Sequence, residues 1–574
     1  MKSIILSIAA AFAAAAVAGE KAYLWPEGKM PDAQPHQYAA MTDVSLAKGF
    51  NPDEWRAPYI EWFEPEPGVE RNGLCAILIS GGSYECTCDV SHVAAWKKKL
   101  TAMGAVCANL VYRTPRPKGL PIYKTAWEDG QRAVRLVRAD AAKRGFDPEK
   151  IGTFSMSAGS HLALLLATSS QTPAYAPVDG TDALPCHINF ACPFAAAYAL
   201  TDGLGHPNTR EGDSPDVALD GVFKFDAKTC PVCMMHGGKD PYSPLASTRI
   251  YRRLREMKIP AEVHIYPDKG HGVFGFDRAV EFLRQTGFLP LEKETNIMKR
   301  LPDDFARAGD APRTDIWPEG KTPDFRANQC KPYIQWHMPK EQKTKAFAII
   351  FSGGAYNANS PEWFEVAPAR RYLNEKGMAV ATLRYRTPRP EGLAKHLSAW
   401  QDLQRTIRIA RREAPSRGLD PDRIAIMGSS AGGHLALMGA LNSRSKSYLP
   451  IDKTDGISAK VQLAVAIYPA YALTDGIDGY NTTGGNSDEA RLAPEFAFDP
   501  DTPPVLFIHG DADKWAAMNS VKTWEQLRRM GVQGELHTLA LRDHGFQRSA
   551  SPGTGSYTWM DRIWEFMSAK GFNK

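Results

Sequence analysis

Residues 424–434 read IAIMGSSAGGH, an apolar run followed by Gly428-Ser429-Ser430-Ala431-Gly432. Gly-x-Ser-x-Gly after a short apolar run is the pattern of a nucleophilic serine on a sharp strand-to-helix turn. The segment has a partner upstream. Tyr112 to His161 (YRTPRPKGLPIYKTAWEDGQRAVRLVRADAAKRGFDPEKIGTFSMSAGSH) aligns without a gap to Tyr385 to His434 (YRTPRPEGLAKHLSAWQDLQRTIRIARREAPSRGLDPDRIAIMGSSAGGH), with 25 of 50 positions identical at an offset of 273. The chain is a tandem duplication, and the duplicated unit carries the serine turn.

Outward from this block, each copy alternates short apolar runs with helical patterns. Cys75–Ile79 and 346–350 are unbroken apolar runs ending in Ser-Gly-Gly or close to it, as buried parallel strands do. Residues 127–144 and 400–417 read as amphipathic helices, and 151–154 and 424–427 as the strands before the serine turn. Helices begin at His161 and His434, and 232–235 and 505–508 are strands ending in His-Gly. The predicted fold class is α/β: two tandem domains, each a mostly parallel sheet with helices on both faces. Active groups then collect at the carboxyl ends of the strands.

The copies start near Tyr23-Leu24-Trp25-Pro26-Glu27-Gly28-Lys29 and Asp315-Ile316-Trp317-Pro318-Glu319-Gly320-Lys321, at an offset of 292, so the first carries 19 extra residues, expected within 34–55. The predicted organisation is a signal peptide at 1–18, domain one at 19–288, a charged linker at 289–313 and domain two at 314–574, the two domains packing on each other. Lys2, the apolar stretch 4–17 and Ala16-Val17-Ala18 make a cleavable export signal, which implies a periplasmic or secreted protein without a membrane anchor.

With 43% hydrophobic and 23% charged residues the chain is ordinary globular material, and a net charge of +5 over 574 residues gives no reason for a nucleic-acid partner. Eight of nine cysteines fall in copy one. Cys86-Thr87-Cys88 and Cys230-Pro231-Val232-Cys233 invite a zinc reading, but they lack paired-knuckle spacing, and Cys230 and Cys233 fall in or beside a buried strand, where cysteine is a small apolar filler. A disulfide among Cys75, Cys86, Cys88 and Cys107 is open to an exported protein.

A serine hydroxyl needs a base and a group to hold that base. Copy two offers Ser430, Asp513 and His544 in the order Ser, Asp, His; copy one offers Ser157, Asp240 and His271. In both, 83 residues separate serine from aspartate and 31 separate aspartate from histidine. Asp511 rivals Asp513, but Gly238 stands at its place in copy one; His236 and His509 read as structural. Oxyanion donors are expected from Ala431 and Ala158, just after the serines, and from the glycine loops: Gly354 and Ala355 in copy two, Gly82 and Ser83 in copy one. Tyr356 and Tyr84 are expected to flank the pocket. The shared arginines, including Arg386 and Arg389, read as ties between a strand end and its following loop or Asp402.

The run Tyr-Arg-Thr-Pro-Arg-Pro-x-Gly-Leu, then Trp-x-Asp-x-Gln-Arg, then Asp-Pro-x-x-Ile and Gly-Ser-Ser-Ala-Gly-Gly-His resembles the acetyl xylan esterase and feruloyl esterase-like branch of the α/β-hydrolases, over nearly all of each repeat. The resemblance implies a serine carboxylesterase that removes acetyl or other small acyl groups from plant polysaccharide, an acylated carbohydrate as partner, and no metal or organic cofactor. Copy one departs from the pattern with Ser155 for Gly428 and Ser160 for Gly433, and both copies have serine (Ser80, Ser352) where the family has a histidine. Copy two has eleven more residues between its histidine and its last helix, a loop at 547–555 placed to shape a pocket wall. The two sites are therefore expected to differ in substrate, copy one being the weaker. Three alternatives stand beside this reading: copy one as a degenerate carbohydrate-binding module, a peptidase, or a lipase. The last two lack, respectively, the length for a propeller or cap and an apolar lid, since the loop 476–486 is rich in Gly, Asn and Thr.

Overall fold

A computed structural model describes residues 19–39, 56–87, 90–201, 217–292, 312–474, 490–549 and 553–574. The export segment, Cys88, most of the expected linker and the loop 476–486 lie outside the described residues. Copy one supplies β1 (Glu20–Tyr23), β2 (Tyr59–Phe63), β3 (Cys75–Ile79), β4 (Val106–Val111), β5 (Ile151–Met156), β6 (Phe190–Phe194), β7 (Val232–Gly237) and β8 (Ala261–Tyr266). Copy two supplies β9 (Arg313–Asp315), β10 (Tyr333–His337), β11 (Phe347–Phe351), β12 (Ala379–Arg384), β13 (Ile424–Ser429) and β14 (Leu463–Ile467). A small pair, β15 (Leu473–Thr474) with β16 (Arg491–Leu492), precedes β17 (Val505–Gly510) and β18 (Gly534–Leu539).

Sixteen of these strands form one sheet in the order β1-β2-β4-β3-β5-β6-β7-β8-β18-β17-β14-β13-β11-β12-β10-β9. Within each copy the second strand pairs antiparallel with both its neighbours and the remaining pairs are parallel. The central strands are buried on both faces, which is why they read as unbroken apolar runs. The long helices stop sooner than their amphipathic pattern: Lys124–Ala139 breaks at Asp140, and Leu397–Glu413 gives way to a 3₁₀ turn at Pro415, which has no N–H to continue the ladder. Gln37 and Gln329 make the same two bonds, to a proline carbonyl and a helix-start hydroxyl. Tyr38 and Cys330 both donate N–H to the threonine carbonyl of the Tyr-Arg-Thr-Pro turn, so the extra residues of copy one enter after Tyr38.

The copies meet where β8 pairs antiparallel with β18, with His264 opposite His537. These residues are themselves 273 apart, so a pseudo-twofold axis passes between equivalent positions. Helices Leu245–Glu256 and Met518–Arg529 cover the seam on one face, joined by Arg252 with Glu525 and by Thr248 Oγ1 donating to Glu525 at 2.7 Å. The apolar layer on that face runs from one copy into the other, whereas the opposite face carries two cores, one centred on each copy, with Ala540 of copy two joining that of copy one. Cys75, Cys107, Cys230 and Cys233 are buried thiols without a disulfide, so the bridge allowed between Cys75 and Cys107 is absent. Burial pushes Cys107 up to about 12. Among the described residues no helix is long and apolar enough to cross a membrane.

Candidate active sites

Strand β13 ends at Ser429 and a helix begins at Ala431, leaving Ser430 at φ 57, ψ −122. Ser157, between β5 and helix Ala158–Thr168, has φ 56, ψ −122. A non-glycine residue holds such a backbone only where its surroundings over-determine it. Here Ser430 N–H donates to Ile467 O and Ser157 N–H to Phe194 O, each on the neighbouring strand. The turn aims both hydroxyls off the carboxyl end of the sheet.

His544 Nε2 lies 2.7 Å from Ser430 Oγ, and its Nδ1 lies 2.8 Å from Asp513 Oδ2. In copy one His271 Nε2 lies 2.9 Å from Ser157 Oγ, with Nδ1 2.9 and 3.0 Å from the Asp240 oxygens. The structure thus brings together, in each half, the three groups that the repeat spacing singled out. Behind each aspartate stands the strand-end histidine: His509 Nε2 is 3.2 Å from Asp513 Oδ2 and His236 Nε2 is 3.4 Å from Asp240 Oδ2. Burial pushes the Asp240 carboxyl up, but the adjoining imidazoles of His236 and His271 outweigh it and hold the group at about 2. Asp513 is held well below the usual carboxylate range in the same way, by His509 and His544. His236 and His509 therefore help keep the orienting carboxylates ionised.

The glycine loops pack on the serines: a Cβ on Gly353 would fall 2.7 Å from Ser430 Cβ, and one on Gly81 2.8 Å from Ser157 Cβ. Gly354 (φ +97) and Gly82 (φ +122) turn the chain so tightly that a Cβ would sit about 2 Å from the carbonyl four residues on. The N–H groups of Gly354, Ala355 and Ala431, and of Gly82, Ser83 and Ala158, donate to no acceptor among the described residues. Each loop and helix start therefore offers unused donors beside its serine, the arrangement an oxyanion needs.

Tyr84 and Tyr356 do not flank the pocket. Both are 1% exposed, and positive φ at Tyr84 and Tyr356 turns the rings inward, where each hydroxyl lies 2.8 Å from Nδ1 of the histidine after the elbow, His161 or His434. The aromatic groups beside His271 and His544 are Tyr242 in copy one, and Trp515 and Tyr468 in copy two. No sequence signal separated these from packing aromatics. Asp511 faces away from Ser430 and into copy one, where Arg255 Nε (2.8 Å), Tyr251 O–H (2.9 Å) and Ala261 N–H (3.3 Å) reach it.

Arg386 clamps Asp402 in a buried pair, as expected. Arg389 reaches further than a strand-end tie: its Nε donates to Ala355 O at 2.8 Å, and Arg116 does the same to Ser83 O at 3.0 Å. These arginines hold the donor loops. Copy two adds Glu365, whose Oε2 accepts Gly353 N–H at 2.7 Å; copy one has His92 at that place. The elbow serines peculiar to copy one are satisfied, Ser160 Oγ donating to Phe194 O and lying 3.2 Å from Ser155 Oγ. The extra loop of copy two divides its contacts. Gln547 accepts from Tyr468 O–H near the site, whereas Thr558, beyond the loop, donates to Glu281 of copy one.

Fold and site place the chain in the α/β-hydrolase class, with a serine–histidine–aspartate triad in each half. The chain belongs to the BD-FAE family, whose profile matches residues 66–191 and 334–527. It is similar to the esterase LipQ of Mycobacterium tuberculosis, 28% identical over 241 residues that cover 38% of this chain and 53% of LipQ. It is also similar to an acetylxylan esterase of Xylanibacter ruminicola, 23% identical over 228 residues covering 36% of this chain and 42% of that protein. The chain thus spans about half the length of these curated relatives. Among solved structures, an acetyl ester-xyloside bifunctional hydrolase from Caldicellulosiruptor lactoaceticus aligns with TM-score 0.37 and 23% identity, over 46% of this chain and 97% of that one.

Proposed function

We propose that this chain is an exported esterase that removes acetyl or other small acyl groups from a plant polysaccharide such as xylan, and that both halves are catalytic. The observation that carries the proposal is the serine–imidazole–carboxylate contact, present with matching geometry in both copies. Resemblance to a protein named for acetylxylan esterase activity supports the substrate class.

Ser430 or Ser157 attacks the ester carbonyl while His544 or His271 takes the hydroxyl proton at Nε2. The carbonyl oxygen, now negative, is received by the N–H groups of the glycine loop and of Ala431 or Ala158. The imidazolium, steadied by Asp513 or Asp240, hands its proton to the departing sugar alcohol. Water, deprotonated by the same histidine, then releases the acid and restores the serine.

Release of acetate and of ferulate from acetylated and feruloylated xylan tests the reading. Acetate release is expected. Hydrolysis of a chromogenic acetate with no product from either polymer would leave an esterase and remove the polysaccharide assignment.

A further inference from the structure

One turn beyond the nucleophile of copy two, His434 points Nε2 at Glu495 Oε1, 3.1 Å away. A second imidazole joins them: His396 Nδ1 lies 3.6 Å from the same oxygen. Donor atoms of all three residues lie within 4.8 Å of one another. The side chains are 7%, 0% and 8% exposed for His396, His434 and Glu495.

Hydrogen bonds within this cluster do not satisfy it. His434 is served on both ring nitrogens, by Glu495 and by the Tyr356 hydroxyl. His396 Nδ1 and Glu495 Oε2 are left without a partner. Burying unpaired polar atoms is costly. A divalent cation would use all of these lone pairs at once. Zinc held tetrahedrally at 2.0–2.1 Å sets neighbouring donor atoms about 3.3 Å apart, between the two distances seen here. Tyr356 stands behind His434 Nδ1 as an orienting partner behind a metal-binding histidine does.

Copy one provides an internal control. Its residues at the same three places are Tyr123, His161 and Val222. Only the shared histidine remains, with Nε2 unpartnered. Two of the three donors are present together in one copy and absent together from the other. The second donor group among the described residues, Cys233 with Glu262 and His264, has both carboxylate oxygens of Glu262 already engaged at the seam, by Ala540 N–H and by His264.

We infer that His396, His434 and Glu495 form a zinc-type divalent metal site in copy two that copy one lacks. This departs from the sequence expectation of no metal. The ion ties the helix that starts at the nucleophile to the chain around Glu495 and, through Tyr356, to the donor loop. It braces the pocket and takes no part in the chemistry at Ser430.

The test uses the full chain, without a histidine tag, stripped with a chelator and returned to zinc. One zinc per chain by elemental analysis is expected, with a Tm that rises with free zinc. His396→Tyr and Glu495→Val, which install the copy-one residues, are expected to weaken zinc binding by more than about tenfold. Glu495→Gln keeps the side-chain shape, so it reports on ligation even if the others fold poorly. Failure of the unmodified chain to retain zinc at micromolar free ion overturns the inference. So does equal retention by Glu495→Gln.

Discussion

His264 Nδ1 lies 2.8 Å from His537 Nδ1, so the two ring nitrogens share one proton. On their far sides, Nε2 of His264 lies 2.9 Å from Glu262 and Nε2 of His537 lies 2.8 Å from Glu535. Around the row stand Arg562 and Arg278 with Glu281 between them, the Cys233 thiol and Ala540 N–H on Glu262, and Lys570, Glu565 and Asp268 near Glu535. Burial pushes both imidazoles well below their usual range and raises both carboxyls to about 8. In an unfolded chain the two carboxyls ionise near about 4.3 and the two imidazoles near about 6.5, whereas in the folded row both carboxyls stay protonated to about 8 and both imidazoles stay neutral. Between about 6.5 and 8 the folded row therefore holds more protons than the unfolded chain, and its stability falls as pH rises through that window, by up to about 1.4 kcal/mol per pH unit for each proton. Tm measured from pH 5 to 8.5 is expected to fall more steeply above about 6.5 than that of the His264→Phe/His537→Phe variant. Identical profile shapes would remove the row as the cause.

Asp511 and Asp513, two residues apart, are expected to fail in opposite ways. Asp511→Ala strips Arg255 and Tyr251 of a buried partner and should cost about 3 kcal/mol of stability, with the kcat of folded protein unchanged. Asp513→Asn should leave Tm within a few degrees and lower kcat at Ser430 by about 10⁴-fold. The comparison is read in a Ser157→Ala background by thermal melts and chromogenic acetate hydrolysis.

Ser157→Ala and Ser430→Ala should each leave the hydrolysis contributed by the other half. The double variant should fall by about 10⁴-fold or more. Loss of all activity in Ser430→Ala alone would assign copy one to binding instead of catalysis.

Arg389→Ala removes the guanidinium that holds Ala355 O. A charge-assisted hydrogen bond of this sort contributes about 1.5–3 kcal/mol. In the Ser157→Ala background, kcat should fall by about tenfold or more with KM little changed. A change confined to KM would place Arg389 in substrate binding instead.

The parallel strands were legible because burial on both faces leaves an apolar run, and the triads because the repeat kept two spacings. The seam left a readable trace as well: Glu262-Val263-His264 and Glu535-Leu536-His537 put polar groups on one side of otherwise apolar strands. Its meaning needs the knowledge that β8 and β18 are the free edges. The tyrosines of the donor loops were misjudged because their direction depends on positive φ at non-glycine residues, which composition does not announce. The arginines holding those loops were underestimated for a related reason. Arg389 and Ala355 are far apart in sequence, and only the cradle formed by the folded chain brings them together.

An edge strand with unpaired amides invites another strand, and in this molecule each half closes the other's edge at a join whose two sides are equivalent. Cut into its halves, the enzyme would expose the same template twice over, and each fragment carries what is needed to dock with a copy of itself. Joining the halves in one polypeptide replaces a meeting that depends on protein concentration with one set by tether length, so the paired architecture survives dilution.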